Sequence, residues 1–355
     1  MITEVIKINN IDPDLRVIEK AARVLRDGDL VAFATETVYG VGANMLDRAA
    51  VEQLYNIKMR PKEKPFTIHI AIRGEAERYA ANISLAAYKL MNKFWPGPLT
   101  IVLPAKEKAA KTIGLRMPEG AVAQRILSLA NFPVVVPSAN NSGSPVPKTA
   151  EEVLRDLDGK IALLLDSGPA KLGIASTVVD AAGDEIRILR AGAIRDELIF
   201  AVCRRRNILF VCTGNSCRSP LAEGLLKRIC EIEHLYIEVE SAGIGAPSGM
   251  PATAFAQQVA AEHDIDISNH YARMLTEDML KKTDIIFVME EFHRERILER
   301  FPEMKKRIYL LTELSGETRN ISDPIGRAIE VYRNCFREIE GALEVIVKKI
   351  KNGEI

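Results

Sequence analysis

No run of 18 or more apolar residues occurs in this 355-residue chain, although 47% of it is apolar. Nothing in it therefore reads as a membrane-spanning helix. Cysteine is missing from the first 202 residues, and the five present are Cys203, Cys212, Cys217, Cys230 and Cys335. An odd number with no even framework excludes a disulfide-stapled fold and fits a reducing cytoplasm. No Cys/His cluster has zinc spacing, which argues against a structural metal. Net charge is lacking too, with 48 basic against 48 acidic residues. That balance excludes strong global steering to nucleic acid and leaves only a local basic cleft possible. The start of the chain is polar and strand-like, so no signal peptide is expected.

What is present is the alternation of apolar strand-like runs with helical patterns that marks α/β domains, and the length suits two of them. In the first half, strands are predicted at 30–34, 67–71, 99–103, 134–136 and 161–165, with helices at 14–26, 48–58, 84–94 and 149–157. A second start begins at Asn207, after the run Cys203-Arg204-Arg205-Arg206. Strands are predicted there at 208–211, 236–240, 284–288 and 307–310, and helices near 219–232, 251–263, 276–282, 291–300 and 326–350. Residues 193–206 read as the linker, and the apolar run at 198–202 suggests that it packs. The arginine triplet fits a solvated junction better than a nucleic-acid patch.

The most informative stretch is 208–220, an apolar strand feeding Cys212-Thr213-Gly214-Asn215-Ser216-Cys217-Arg218-Ser219-Pro220. Cys-x5-Arg alone is weak evidence. The strand before it, the Gly and Asn within it, and Ser219-Pro220 as expected N-cap and first helical residue make it specific. Such a loop turns backbone N–H groups toward one point at the positive end of a helix dipole. A thiolate and a guanidinium then face the same bound anion, which suits attack by cysteine on phosphorus. The plainer alternative is that Cys212 is a small buried hydrophobe at a strand end.

Residues 207–355 resemble the low-molecular-weight protein phosphatases through this loop, the late Asp323-Pro324 and Ser241-Ala242-Gly243. The resemblance implies that Cys212 is the nucleophile, with a thiol held low by the loop amides and Arg218. It implies that Arg218 clamps the phosphoryl oxygens and that Asp323 protonates the leaving group, then activates water. Thr213, Gly214, Asn215, Ser216, Cys217 and Ser219 form the phosphate loop, with Asn215 and Ser219 holding it in register. Cys217 is either a packing thiol or a resolving cysteine for oxidised Cys212. Ser216 is small where tyrosine-directed members carry a bulky aliphatic residue, and Ile325-Gly326 follows Pro324 where they carry aromatics. These departures favour a phosphoarginine over a phosphotyrosine protein substrate.

Residues 1–200 resemble the YrdC-type family, which makes threonylcarbamoyl-adenylate for tRNA modification. The motifs, in family order, are Thr35-Glu36-Thr37-Val38-Tyr39-Gly40-Val41-Gly42, Lys58-Met59-Arg60-Pro61, Trp95-Pro96-Gly97-Pro98-Leu99-Thr100, Arg116-Met117-Pro118, Pro137-Ser138-Ala139-Asn140-Asn141-Ser142-Gly143, Ser176-Thr177-Val178-Val179-Asp180 and Ile188-Leu189-Arg190. Physically, Lys58 and Arg60 are two cations able to reach a triphosphate, and Ser138 and Asn140 follow an apolar strand at its ligand-binding carboxyl end. The resemblance implies ATP contacts from Lys58, Arg60, Thr112, Ser138, Asn140 and Arg190. It implies threonine contacts from Thr37, His69, Arg116 and Ser176. Threonine would be carbonated by bicarbonate, and the carbamate would attack the α-phosphorus of ATP with Mg²⁺ on the phosphates. Partners implied are threonylcarbamoyl-transfer proteins, tRNA and a phosphoprotein substrate, with no membrane. The fold expected is a twisted YrdC-like α/β domain followed by a three-layer, parallel-sheet phosphatase domain. The competing reading is an RNA-binding or regulatory YrdC-like module fused to a tyrosine phosphatase.

Overall fold

The computed structural model describes residues 2–107, 110–183 and 185–355. The chain divides into two compact units, Met1–Cys203 and Arg204–Ile355.

The first unit is built on ten strands: β1 (Glu4–Lys7), β2 (Val31–Ala34), β3 (Tyr39–Asn44), β4 (Ile68–His69), β5 (Leu99–Pro104), β6 (Thr112–Arg116), β7 (Val134–Val135), β8 (Leu163–Asp166), β9 (Thr177–Asp180) and β10 (Arg187–Arg190). They form one mixed sheet in the order β1-β8-β2-β3-β7-β4-β6-β5-β9-β10. Helices cover it by ordinary amphipathic logic. The helix Leu15–Arg26 buries Ile18, Ala21, Ala22 and Leu25 and is capped by Asp14. The helix Arg48–Lys58 is capped by Asp47 and stops at Met59, whose φ of 49° is left-handed. That reversal separates the fates of its neighbours: Lys58 turns inward and is 2% exposed, while Arg60 faces a cavity.

Register then assembles a row of side chains. His69 on β4 pairs with Arg116 on β6, and Thr100 on β5 pairs with the same arginine. Paired residues of adjacent strands project to the same face. Strand β3, the helix Ala121–Ala130 and the β9–β10 pair lie outside the sequence-predicted elements, and the strand expected at 67–71 shortens to two residues. The segment read as a linker forms the helix Asp196–Arg204, with Ile199 in the core of the first unit.

The second unit has a parallel sheet of β11 (Arg206–Cys212), β12 (Ile237–Gly243), β13 (Ile285–Val288) and β14 (Ile308–Leu310), ordered β12-β11-β13-β14. Alternation along β11 makes three layers: Ile208, Phe210 and Cys212 enter one core, and Leu209 and Val211 the other. The first core is closed by the helices Arg218–Ile232, Ala254–Glu262 and Ile329–Lys351. The second is closed by Glu277–Lys282 and Glu291–Arg300. Strand order reverses beside β11, so its carboxyl end opens at the switch point where such sheets bind ligands. Cys212 is the last residue of that strand.

Candidate active sites

Cys212 is 2% exposed. Its Sγ lies 2.9 Å from Ser219 Oγ and accepts the backbone N–H of Asn215 at 3.2 Å. Asn215 has a left-handed φ of 51°, and its side chain locks the loop from within. Its Nδ2 donates to Ser219 Oγ at 2.9 Å and Ser241 Oγ at 2.8 Å, and its Oδ1 accepts from Arg273 N at 2.9 Å. Asn215 Nδ2 donates to Ser219 Oγ, which leaves the Cys212 sulfur as the other hydrogen-bond partner of that hydroxyl. Gly243, paired with Cys212, has a packing reason to be glycine: a Cβ there would stand 2.5 Å from Thr213 O.

Arg218 is the first residue of the next helix and is 1% exposed. It donates to Glu290, to Ile321 O at 2.9 Å and to Asp323 Oδ2 at 2.5 Å. Asp323 is thus brought to the loop from 105 residues away. Thr213 is exposed, Gly214 and Ser216 are half-buried, and Cys217 is buried with Sγ 3.6 Å from Tyr332 Oη. Two expectations change here. The helix starts at Arg218 with Cys217 at the N-cap, so Ser219 is its second residue and serves the thiol. The Cys212 thiol is pushed up, because burial outweighs the opposing pull of Ser219, Arg218 and the Asn215 amide.

In the first unit, a cavity of about 270 Å³ is lined by Arg60, His69, Thr112, Arg116, Ser138, Ser176 and Arg190. Arg190 donates to Ser176 O at 2.7 Å and Ser176 Oγ at 3.0 Å, and Ser176 Oγ meets Thr100 Oγ1 at 2.9 Å. Arg60 braces the following turn through Lys64 O at 2.8 Å and Pro65 O at 3.1 Å. His69 is held neutral by burial and the nearby Arg116, and its Nδ1 is buried without a partner. An unpaired polar atom at the wall of a cavity is costly unless a ligand answers it.

The other three predicted residues stand behind this lining. Lys58 Nζ donates to the carbonyls of Ser138 and Asn140 and to Asn140 Oδ1, and burial, then Arg60, lowers its pKa to about 8. Asn140 accepts from Ser138 Oγ at 2.6 Å and donates to Ser144 O at 2.7 Å. Thr37 Oγ1 accepts from Arg116 Nη2 at 2.7 Å. Among the described residues no group of three His, Cys, Asp or Glu could hold a metal, and no helix is long and apolar enough to cross a membrane.

Comparison with known proteins meets this geometry in both units. The Sua5/YciO/YrdC family model, described as "Telomere recombination", matches residues 23–192, and the low molecular weight phosphotyrosine protein phosphatase model matches 207–354. The protein-arginine-phosphatase of Bacillus subtilis is 36% identical over 146 residues, 41% of this chain and 97% of that protein. The threonylcarbamoyl-AMP synthase of the same organism is 42% identical over 193 residues, 52% of this chain and 56% of that protein. The crystal structure of Pyrococcus abyssi Sua5 with L-threonine matches at a TM-score of 0.55 and 28% identity, covering 68% of this chain and 92% of that one.

The chain belongs to both families.

It joins a Sua5/YrdC-type domain to a low-molecular-weight phosphatase-type domain, and both halves match enzymes. The chain spans little more than half the length of the Bacillus synthase. Sequence reasoning missed three residues. In the synthase domain, Glu36 Oε1 pairs with Arg116 Nη2 at 2.6 Å, both side chains being 6% exposed or less. In the phosphatase domain, Glu290 holds Arg218, and His293 Nε2 meets Thr213 Oγ1 at 2.9 Å. The available signals were an acid inside the buried run after β2 and an acid two residues after the apolar β13. Phe255, 42% exposed and edge-on to Tyr332, also brings a ring near the loop from outside the segment after Pro324.

Proposed function

We propose that this protein is a bifunctional enzyme of the cytoplasm. Its synthase domain makes threonylcarbamoyl-adenylate from ATP, L-threonine and bicarbonate for tRNA modification. Its phosphatase domain removes phosphate from proteins through Cys212, with phosphoarginine preferred over phosphotyrosine.

The synthase reading is carried by the row Thr100, Arg116 and His69, with Arg60, Ser138, Ser176 and Arg190 around one cavity. Arginines and an unpaired imidazole suit an anionic nucleotide and an amino acid. Threonine and bicarbonate condense to a carbamate with loss of water. The carbamate oxygen then attacks the α-phosphorus, and pyrophosphate leaves. Holding the reactants in line and neutralising phosphate charge supplies the rate. The cavity lining contains no carboxylate, so Mg²⁺ belongs to the Mg–ATP substrate. Threonylcarbamoyl-transfer proteins and tRNA are the partners that consume the product.

The phosphatase reading is carried by Cys212 Sγ between Ser219 Oγ and the Asn215 N–H at a helix start, with Arg218 and Asp323 joined beside it. Sulfur attacks phosphorus, Asp323 protonates the departing group, and water then cleaves the phosphocysteine. Asp323→Ala is expected to slow aryl phosphates with poor leaving groups more than those with good ones. Equal losses on both, read as kcat, argue against Asp323 as the acid.

The arginine preference rests on the half-buried Ser216 and the exposed Ile325, and on the name of the Bacillus relative. A guanidinium needs room and acceptors beside phosphorus rather than two ring walls. Ser216→Ile is expected to reverse the preference, shifting the kcat/KM ratio of phosphoarginine to phosphotyrosine protein by roughly 10–200-fold. A wild type that prefers phosphotyrosine, with a ratio unmoved by the substitution, refutes this specificity.

A further inference from the structure

His293 and Glu290 stand at the start of the helix Glu291–Arg300, and neither belongs to the loop that they brace. His293 is fully buried, and its Nδ1 accepts the backbone N–H of Glu290 at 3.0 Å. An accepting ring nitrogen carries no proton, so a neutral imidazole has its proton on Nε2. The surroundings keep the ring neutral: burial, then Arg218, lowers its pKa to about 4. Nε2 therefore donates to Thr213 Oγ1 at 2.9 Å. That bond occupies a lone pair of the hydroxyl and leaves its proton to point away from the histidine. Thr213 is exposed and follows Cys212 directly. Arg218, Glu290 and Asp323 all act on the same imidazole, so this pair lies beside the charged centre of the site.

We propose that Thr213 donates a side-chain hydrogen bond to the phosphoryl group of the substrate, and that His293 is the positioning residue that fixes the direction of that hydroxyl. The inference rests on the phosphatase reading above and adds a donor to it. A free threonine hydroxyl rotates among three wells and can accept as readily as donate. With one lone pair filled from behind, it adds an oriented donor to the fixed donors of the backbone and Arg218. Such preorganised donors stabilise developing phosphoryl charge without reorganisation during the reaction.

Inorganic phosphate is the probe, as a competitive inhibitor of aryl phosphate hydrolysis by the full chain. Thr213→Val is expected to raise its inhibition constant about tenfold, the scale of one hydrogen bond to a charged group. Thr213→Ser should restore it. His293→Asn keeps an acceptor near Nδ1 but loses the donor to Thr213, so it should show part of the loss in Thr213→Val. His293→Gln places an amide nitrogen near Nε2 and should recover most of it. The double variant Thr213→Val/His293→Asn should lose no more than Thr213→Val alone, because without the hydroxyl His293 has nothing to orient.

An unchanged phosphate inhibition constant in Thr213→Val overturns the inference, even if the KM for a phosphoprotein rises. Additive losses in the double variant overturn the role of His293. Thermal unfolding identifies a variant that has lost its fold, and Thr213→Val, at an exposed position, carries the test by itself. Hydrolysis that survives in Cys212→Ser would overturn the phosphatase reading instead, so the two failures are distinguishable.

Discussion

Cys212→Ser is expected to lower phosphatase kcat/KM by at least about 10⁴-fold while pyrophosphate release from ATP stays at the wild-type rate. The sulfur sits where the loop converges, 2.9 Å from Ser219 Oγ and accepting the Asn215 N–H. Serine keeps the size and the hydrogen bonds, so the loop should persist and only the chemistry should fail. A hydroxyl in that place is far harder to ionise than a thiol, even one pushed up by burial. The synthase domain has its own core and its own cavity, and none of that cavity's walls comes from residues after 200. A parallel loss of pyrophosphate release would mean that the two activities depend on one another. Retained hydrolysis would remove Cys212 from the mechanism.

Glu36→Ala is expected to destabilise the synthase domain by about 3–5 kcal/mol. Glu36 Oε1 accepts from Arg116 at 2.6 Å and Oε2 from the Glu119 N–H at 3.0 Å, with the two side chains only 3% and 6% exposed. Removing the carboxylate leaves a buried guanidinium with Thr37 Oγ1 and Gly97 O as its remaining partners. The cost comes chiefly from that uncompensated charge rather than from the value of the lost pair. The half-saturating threonine concentration should rise as well, since Arg116 lies in the cavity wall beside His69. Urea denaturation of the full chain measures the first effect. A change below about 1 kcal/mol would show that the charge finds water or another partner, and would contradict the buried setting described for this pair.

Much of this protein is legible from one sequence because its elements obey local rules. The helices Leu15–Arg26 and Arg48–Lys58 each begin at an aspartate cap and carry a regular buried stripe, so their spans lie within one residue of expectation. Strand β11 and the loop after it are read directly from an apolar run ending in Cys-x5-Arg. Strand β3 was not read, because Tyr39–Asn44 includes two glycines and owes its extended form to pairing with β2 and β7. Lys58 and Arg60 look equivalent in sequence and diverge only because Met59 adopts a left-handed turn. Glu36, Glu290 and His293 find their partners 72 to 80 residues away, and no local pattern states such pairings. The thiol of Cys212 was expected low because loop donors are visible in sequence, whereas the burial that raises it belongs to tertiary structure.

The central claim is that one chain carries a complete synthase site and an independent phosphatase site. Pyrophosphate release by the full chain, with ATP, threonine and bicarbonate supplied together and then each omitted, tests it most directly. The account predicts release only when all three are present, at an equal rate in the wild type and in Cys212→Ser. Release at the same rate without threonine would contradict it.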